Sequence, residues 1–307
     1  MKAMTYDRYG DPDVLQLTDQ PMPRVGPGEV RIEVHSAAVN PVDWKLMAGM
    51  LDGLMLPLFP VIPGWDVAGV VESVGPDTPE FEPGDKVLAY ARKDFVHGGT
   101  FCEYVTLAAR AVARKPDGVD WDQAAGLPLA GLTAYQLLTR LGLREGETVL
   151  IHNAAGGVGV LGAQIARNLG ARVIGTASEK NHDFLRSLDV EPVDYRGDVA
   201  QQVRSLAPEG VDLVADFIGG VLETTRAVLK AGGRHGSIVD DAVQQAGGLY
   251  LWVRPDGEAL QVLAEMAAQG RLDVPIARTF ELERLADAFR ENQTGHVTGK
   301  LIVHVKR

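Results

Sequence analysis

The sequence predicts an α/β fold in which a doubly wound parallel sheet is joined to a smaller β-rich domain. Residues 1–120 hold many short β-branched or alternating apolar runs, separated by proline and glycine. From about Trp121 onward, strand-like runs alternate with helix-like stretches, which is typical of a parallel sheet covered on both faces. Between Val149 and Lys180, an apolar run, a glycine cluster, a helix-like stretch and a second β-branched run follow one another.

The first 120 residues are expected to form short strands, and their number suggests a partly closed barrel. Turn residues such as Pro21, Pro23, Pro83 and Gly84 separate them. The expected strands are Val14–Leu17, Glu29–Ala38, Gly69–Val74, Lys86–Ala89 and Phe101–Thr106.

The second region opens with helical segments over Asp122–Gly142, interrupted around Gly126-Leu127-Pro128. Strands are expected at Thr148–His152, Arg172–Thr176, Glu191–Asp194, Leu213–Phe217, Arg234–Ile238 and Gly248–Val253. Helices are expected at Val158–Asn168, His182–Leu188, Ala200–Ala207, Glu223–Leu229 and Gly257–Gln269. A last strand, Lys300–Val305, is expected to return to the first domain. The expected domains are therefore 1–120, 121–270 and a return segment over 271–307.

Composition and charge narrow the classes of function. A chain of 307 residues is long enough for two ordinary domains, and its net charge of −11 disfavours a nucleic-acid partner. Cys102 is the only cysteine, which excludes an internal disulfide and a multi-cysteine metal site and fits a reducing, cytoplasmic setting. The start MKAMTYDRYG lacks a signal-peptide core and no apolar run reaches about 18 residues, so no membrane partner is expected.

The turn Ala154-Ala155-Gly156-Gly157-Val158-Gly159 nearly fills the G-x-G-x-x-G pattern, with alanine where the first glycine usually stands. Glycines there let the backbone approach a pyrophosphate, and the helix N-terminus that follows offers free N–H groups. The context of strand, helix and second strand makes the pattern specific. We expect Ala155, Gly156, Gly157 and Val158 to bind a dinucleotide.

The end of the second strand indicates which dinucleotide. An NAD-selective fold places Asp or Glu there to hold the ribose 2′-OH, whereas this strand ends in Ala177-Ser178. Ser178 can donate a hydrogen bond and Lys180 supplies a charge suited to a 2′-phosphate. The alternative is a solvated lysine at a helix start. Glu179 is expected to point away from the phosphate.

Several distinctive segments occur in a familiar order. They are Ala37–Lys45 (AAVNPVDWK), Ile62–Gly69 (IPGWDVAG), Phe81–Val87 (FEPGDKV), Gly98–Val105 (GGTFCEYV), Gly126–Tyr135 (GLPLAGLTAY), Ile151–Gly159, Asp194-Tyr195 and Gly299–Val303 (GKLIV). With them the whole chain resembles the medium-chain dehydrogenase/reductase superfamily, in its zinc-free quinone oxidoreductase-like branch. The resemblance implies a GroES-like catalytic domain, a Rossmann domain and a cofactor in the cleft between them.

The branch follows from the missing metal ligands. A catalytic zinc needs about three protein ligands. In zinc-dependent relatives a cysteine stands where this chain has Asn40, and their Gly-His-Glu appears here as Gly64-Trp65-Asp66. The seven histidines show no metal-ligand spacing. We therefore expect no zinc, and hydride transfer to an acceptor that is already electrophilic.

The resemblance also assigns cofactor contacts. Ser178, Lys180 and Tyr195 match the Ser, Lys and Tyr set of NADPH-binding members, which makes NADPH the expected cofactor. Thr133 is expected near the nicotinamide or its ribose, with a hydroxyl bonded to its own helix as the alternative. The remaining expected contacts are Phe217 and Ile218 on the adenosine side, and Ser237 and Ile238 along the nicotinamide. Lys300 is also expected to contact the cofactor, although a plain surface lysine is nearly as good an interpretation.

Asn40 is the first catalytic candidate, because its amide can donate to a developing oxyanion; capping the turn before Pro41 is the alternative. Asp43 and Lys45 are candidates for a hydrogen-bonded pair that shapes the site, with Lys45 as a proton source; an exposed ion pair of little effect is the alternative. Trp44, Tyr90, Phe95 and Trp252 are candidate substrate-pocket walls, with core packing or a dimer contact as the alternative.

Four functions remain open at this stage. NADPH-dependent reduction of a quinone comes first, since no decisive proton donor is evident. Reduction of α,β-unsaturated carbonyls follows closely. A non-catalytic NADPH-binding or redox-sensing role and a zinc alcohol dehydrogenase are weaker alternatives. The apolar strand Gly248–Val253 predicts a homodimer that pairs this edge across a two-fold axis.

Overall fold

The computed structural model describes residues 1–306, in which fifteen strands and nine helices succeed one another. The strands are β1 Lys2–Thr5, β2 Gln16–Asp19, β3 Glu29–Val39, β4 Asp66–Val74, β5 Lys86–Tyr90, β6 Tyr104–Ala108, β7 Val112–Arg114, β8 Thr148–His152, β9 Arg172–Ala177, β10 Glu191–Asp194, β11 Val211–Asp216, β12 Leu229–Ser237, β13 Leu249–Tyr250, β14 Ile276–Glu281 and β15 Lys300–His304. The helices are α1 Pro41–Met47, α2 Trp121–Gly126, α3 Pro128–Arg140, α4 Gly157–Asn168, α5 His182–Ser187, α6 Val199–Leu206, α7 Leu222–Val228, α8 Gly257–Ala268 and α9 Leu285–Gln293.

These elements form two units. The first unit comprises Met1–Leu132, Arg254–Gly270 and the chain from Val274 onward; the second comprises Thr133–Val253 and Arg271–Asp273. The division differs from the ranges expected from the sequence. Residues 254–270 belong to the first unit, because α8 packs against β7.

The first unit is built on a seven-stranded sheet in the order β14-β15-β3-β4-β5-β7, with β6 also paired to β3. Alternate side chains of β3 face the core, among them Val30, Ile32 and Val34. β15 pairs antiparallel with the end of β3, setting Leu301 opposite Val39. The C-terminal strand thus completes the β-rich sheet, next to the segment that leads into α1.

The second unit is a six-stranded parallel sheet in the order β10-β9-β8-β11-β12-β13. Counted within the unit, this is the order 3-2-1-4-5-6 of a doubly wound dinucleotide fold. Apolar residues of strands and helices, including Leu150, Ile174 and Val203, form a buried cluster on the sheet. The predicted fold class is confirmed. In such a sheet, ligands bind at the carboxyl ends of the strands, where the order reverses between β8 and β11.

Several predicted bounds are shifted for local reasons. Pro12–Val14 form a short 3-10 helix that begins with proline, so β2 starts only at Gln16. Cys102 makes an isolated bridge to Ala3, and regular pairing with β3 starts at Tyr104. The predicted strand Gly248–Val253 contracts to the two residues of β13, which alone pair with β12.

Candidate active site

The glycine turn between β8 and α4 is closely packed. Asn153 has a φ of 59°, and its carbonyl accepts a hydrogen bond from the N–H of Gly156 at 3.1 Å. A Cβ atom on Gly159 would lie 2.0 Å from that same carbonyl oxygen and 2.8 Å from the Cα of Ala154. Only glycine fits position 159, because the obstructing atoms are backbone and cannot move aside. The turn therefore holds the chain in one path as it enters α4.

The N-terminus of α4 is open to an anion. Gly156 is the N-cap residue and, being a glycine, has no side chain to accept a hydrogen bond from the first turn of the helix. The first N–H groups of this twelve-residue helix carry the positive end of its dipole. The N–H groups of Gly157 and Val158 are thus placed where a pyrophosphate would accept hydrogen bonds, and Ala155 and Gly156 form the turn beside them, so the turn fits a dinucleotide.

The structure brings Ser178, Lys180 and Tyr195 to one edge of the sheet. Ser178 follows β9 at the N-cap of a 3-10 turn, Glu179–Asn181, and its hydroxyl makes no cap hydrogen bond. Tyr195 follows β10, and its N–H donates to Ala177 O at 3.3 Å, which sets it beside Ser178. The Tyr195 ring is 54% exposed. Within residues 1–306 Lys180 makes no ion pair and is exposed.

At the carboxyl ends of β11 and β12, side chains bond mainly to their own loops. Ser237 Oγ donates to Asp216 Oδ2 at 2.7 Å and accepts from the N–H groups of Val239 and Asp240. Asp216 Oδ1 in turn accepts from the N–H of Ile218 at 2.9 Å. The Ser237 hydroxyl is therefore committed to shaping the loops.

The apolar neighbours of these loops differ in exposure. Phe217 is buried, whereas Ile218 is exposed and Ile238 partly so. The two isoleucines thus present apolar surface beside the strand ends. Thr133 is buried in α3.

His152, which the sequence interpretation left out, ends β8 directly before the glycine turn. Its side chain is buried and its Nε2 has no hydrogen-bond partner in the described chain. Burial lowers the pKa of His152 to about 4, so the ring is neutral at physiological pH. In the sequence, His152 is the last residue of the strand that leads into the glycine turn, and this position is the signal that could have drawn attention to it.

A buried polar cluster in the first unit joins Asn40, Asp66 and Lys300. Asn40 Nδ2 donates to Asp66 Oδ2 at 2.8 Å, and Lys300 Nζ donates to Asn40 Oδ1 at 2.5 Å. Both ends of the Asn40 amide are thereby engaged. Asn40 also occupies the N-cap of α1, as the alternative interpretation expected, and its own N–H donates to Asp43 Oδ2 at 2.8 Å.

Asp66 and Lys300 form a buried ion pair, 3.7 Å apart. Asp66 Oδ1 also accepts from the N–H of Leu129 at 2.7 Å, in the first turn of α3. Burial raises the pKa of Asp66, an effect that the Lys300 ammonium opposes; burial also lowers the pKa of Lys300. Lys300 is only 4% exposed, so it is not the surface lysine of the alternative interpretation.

Asp43 and Lys45 do not form the predicted pair. Residues two apart on a helix do not face each other, and here Asp43 is buried while Lys45 Nζ lies 5.7 Å from the Trp44 ring centroid. Among residues 1–306, Asp43 Oδ1 has no hydrogen-bond partner, and burial raises the pKa of Asp43 to about 8. The carboxyl group is therefore protonated at neutral pH. Trp44 Nε1 donates to Asn292 Oδ1 at 2.9 Å.

The candidate pocket walls are not equivalent. Tyr90 is buried in the core of the first unit, with its ring 6.0 Å from that of Trp65. Phe95, of the same unit, is exposed. Trp252 belongs to the second unit and is partly buried. Core packing therefore describes Tyr90, whereas Phe95 and Trp252 present surface.

The described part of the chain offers neither a metal site nor a reactive thiol. Within residues 1–306, no three His, Cys, Asp or Glu side chains are grouped so as to hold a metal ion. Cys102 is buried, its Sγ donates to backbone carbonyls, and burial raises its pKa to about 12. The thiol is thus not an activated nucleophile. No helix in the described part of the chain has the length and apolar character needed to cross a membrane.

Comparison with known proteins places these features in a family. Residues 26–117 match the family described as Alcohol dehydrogenase GroES-like domain, and residues 190–303 the family described as Zinc-binding dehydrogenase. The chain is 35% identical to the NADPH-dependent alkenal/one oxidoreductase, chloroplastic, of Arabidopsis thaliana, over 99% of this chain and 79% of that protein. It is 32% identical to the Quinone-oxidoreductase QR1, chloroplastic, of Triphysaria versicolor, over 99% of this chain and 98% of that protein.

A solved structure gives the same result. The quinone oxidoreductase from Coxiella burnetii is 33% identical, with a TM-score of 0.88 over 100% of this chain and 99% of that one. The relatives span the whole chain, and their names all describe oxidoreductases. With the 3-2-1-4-5-6 sheet and the glycine turn, these likenesses show that the chain is an oxidoreductase of the medium-chain dehydrogenase/reductase superfamily, in its quinone oxidoreductase-like branch.

Proposed function

We propose that this protein is a zinc-independent, NADPH-dependent reductase that transfers a hydride to a quinone. One observation carries the cofactor preference: Ser178, Lys180 and Tyr195 lie together at the strand ends beside an uncapped helix N-terminus. The tip of β9 bears no carboxylate before Glu179, so a 2′-phosphate meets a hydroxyl and an ammonium there.

The residues that would hold NADPH follow from this arrangement. Ala155 to Val158 would bind the pyrophosphate, and Ser178, Lys180 and Tyr195 the 2′-phosphate. Phe217, Ile218, Ile238 and Thr133 would contact the rest of the cofactor, and Ser237 would act through the loops that it bonds. When bound, NADPH supplies a hydride from its nicotinamide ring. The protein orients that ring and excludes water.

The polar cluster of Asn40, Asp66 and Lys300 favours a quinone as the acceptor. Asn40 can assist an acceptor oxygen only by giving up a hydrogen bond, because its Nδ2 already donates to Asp66 and to the carbonyl oxygen of Ala38. Asp43 carries a proton at neutral pH but is buried. A quinone oxygen can take its proton from solvent after hydride transfer, so a quinone does not require a positioned acid. We therefore assign Asn40 and Lys300 to holding the site together, and propose that Lys45 is not the proton donor.

An α,β-unsaturated carbonyl is the second candidate acceptor. The observation that favours it is the 35% identity to a relative named as an alkenal/one oxidoreductase. In this reaction the hydride goes to the β-carbon, and a proton must reach the α-carbon or the enolate oxygen. An enzyme that catalyses this reaction benefits from an acid positioned beside the acceptor. For that reason we place the α,β-unsaturated carbonyl second.

The test is a panel of quinones and α,β-unsaturated carbonyls, with NADPH or NADH as the donor. The proposal expects NADPH to be consumed faster than NADH, with one equivalent oxidised per quinone reduced. Faster turnover of the conjugated carbonyls would favour the second candidate. Tight NADPH binding with no turnover of any acceptor would instead support a redox-sensing role.

We also propose that the protein is a homodimer. β13 lies at the end of the six-stranded sheet, and it offers an unpaired edge that a second copy can cover. Light scattering at micromolar concentration tests this, and a monomeric mass would refute it.

A further inference from the structure

We propose that Arg196 is a further ligand of the 2′-phosphate and sets the selectivity for NADPH over NADH. This inference rests on the proposed NADPH preference, and deepens it by naming a cation that the motif of Ser178, Lys180 and Tyr195 does not include. All four residues belong to the second unit, where β9 and β10 end side by side.

The backbone puts Arg196 beside the expected phosphate position. β10 runs parallel to β9 with Asp194 opposite Ala177, and the N–H of Tyr195 donates to Ala177 O at 3.3 Å. The chain then turns, because the N–H of Arg196 donates to Asp194 Oδ1 at 3.1 Å. Residues 195 and 196 therefore lie next to the turn that starts at Ser178 and carries Lys180.

The guanidinium of Arg196 contacts an aromatic ring and has no ion-pair partner within residues 1–306. Its Cζ lies 5.1 Å from the centre of the Tyr195 ring, a cation–π contact. Arg196 is exposed and makes no ion pair with any carboxylate of residues 1–306. Arg172, at the opposite end of the same two strands, donates to both carboxylate oxygens of Glu191 at 2.6 and 2.9 Å. The charge of Arg196 thus remains available to a ligand.

The geometry suits a phosphate. A guanidinium presents its N–H groups as a planar fork that can donate two parallel hydrogen bonds to phosphate oxygens. Stacking on Tyr195 restricts the side chain before a ligand arrives, which lowers the entropy lost on binding. Glu179 brings one negative charge to this edge, and Lys180 alone would only offset it. Asp194, at the end of β10, is a second carboxylate there, and Arg196 supplies the cation that offsets it.

The experiment measures the dissociation constants of NADPH and NADH for the wild-type protein and three variants. Arg196→Gln removes the charge but keeps the aliphatic stem, and Arg196→Lys keeps the charge but not the fork. Arg110→Gln is the control for net charge, because Arg110 is an exposed residue of the first unit without an ion pair in the described chain. NADH binding serves as the internal check that each variant is folded.

For Arg196→Gln we expect about tenfold weaker NADPH binding with unchanged NADH binding, the usual size of a lost charge-assisted contact. Arg196→Lys is expected to recover part of the loss, and Arg110→Gln to bind both cofactors as wild type does. If wild type prefers NADPH and Arg196→Gln keeps the same preference, this inference fails alone. If wild type does not prefer NADPH, the proposed cofactor fails, and this inference with it.

Discussion

The buried carboxyl group of Asp43 makes the stability of the protein depend on pH. Burial raises its pKa from 3.8 to about 8, because the ionised form would be enclosed with one oxygen that has no hydrogen-bond partner in the described part of the chain. In the unfolded chain this group ionises near pH 3.8, whereas the folded protein keeps it protonated. The contribution of this protonated carboxyl group to the stability of the folded protein is therefore complete below pH 3.8. It is lost progressively until the pH passes about 8.

The substitution Asp43→Asn isolates this effect. Asparagine keeps an oxygen that can accept from the N–H of Asn40, and it cannot ionise. The difference between 3.8 and about 8 corresponds to roughly 6 kcal/mol at alkaline pH. Relative to wild type, the variant should therefore gain stability as the pH rises, by about 4 kcal/mol between about pH 5 and about pH 8.

Urea unfolding between about pH 5 and about pH 9, where the carboxyl groups of the unfolded chain are ionised, measures this difference. Glu80→Gln is the control, because Glu80 is an exposed carboxylate. Its curve should run parallel to that of wild type. A constant offset between Asp43→Asn and wild type across the range would refute the assignment of a buried, protonated Asp43.

Three further predictions concern the buried ion pair of Asp66 and Lys300, the contact of Lys180 with the 2′-phosphate, and the activity without a metal. Lys300→Met should destabilise the protein by about 3–5 kcal/mol in urea unfolding, because Asp66 keeps its buried charge without a counter-ion. Adding Asp66→Asn to this variant should restore part of the lost stability. Equal stability of the single and the double variant would count against the ion pair. Lys180→Gln should weaken NADPH binding by about fivefold and leave NADH binding unchanged, as measured by titration; equal losses for both would mean that Lys180 does not contact the 2′-phosphate. Removal of divalent metals with a chelator should leave turnover and melting temperature unchanged, and stoichiometric zinc in metal analysis would contradict this.

The sequence predicted the second unit well, since its signals are local. The helix after the glycine turn, the strands Thr148–His152 and Glu191–Asp194, and the break before Pro128 all depend on neighbouring residues, and the structure has them. The contraction of the strand predicted at Gly248–Val253 could not be foreseen, because only the ladder to β12 decides where it ends.

The first unit contains what local patterns do not reveal. Lys300 reaches Asn40 across 260 positions of sequence, and no periodicity indicates that contact. The pair predicted between Asp43 and Lys45 was wrong for a reason available in the sequence, since residues two apart on a helix diverge. Arg196 can also be read from the sequence. That its side chain forms no ion pair with a carboxylate of residues 1–306 becomes clear only when the two strand ends are set side by side.

The central claim is hydride transfer from NADPH to a quinone without a metal. Steady-state oxidation of NADPH by the chelator-treated protein, followed by nicotinamide absorbance and by hydroquinone formation, tests it most directly. We expect one hydroquinone per NADPH, a slower reaction with NADH, and no change when zinc is added back. Turnover that appears only with added zinc, or none with any quinone or conjugated carbonyl, would contradict it.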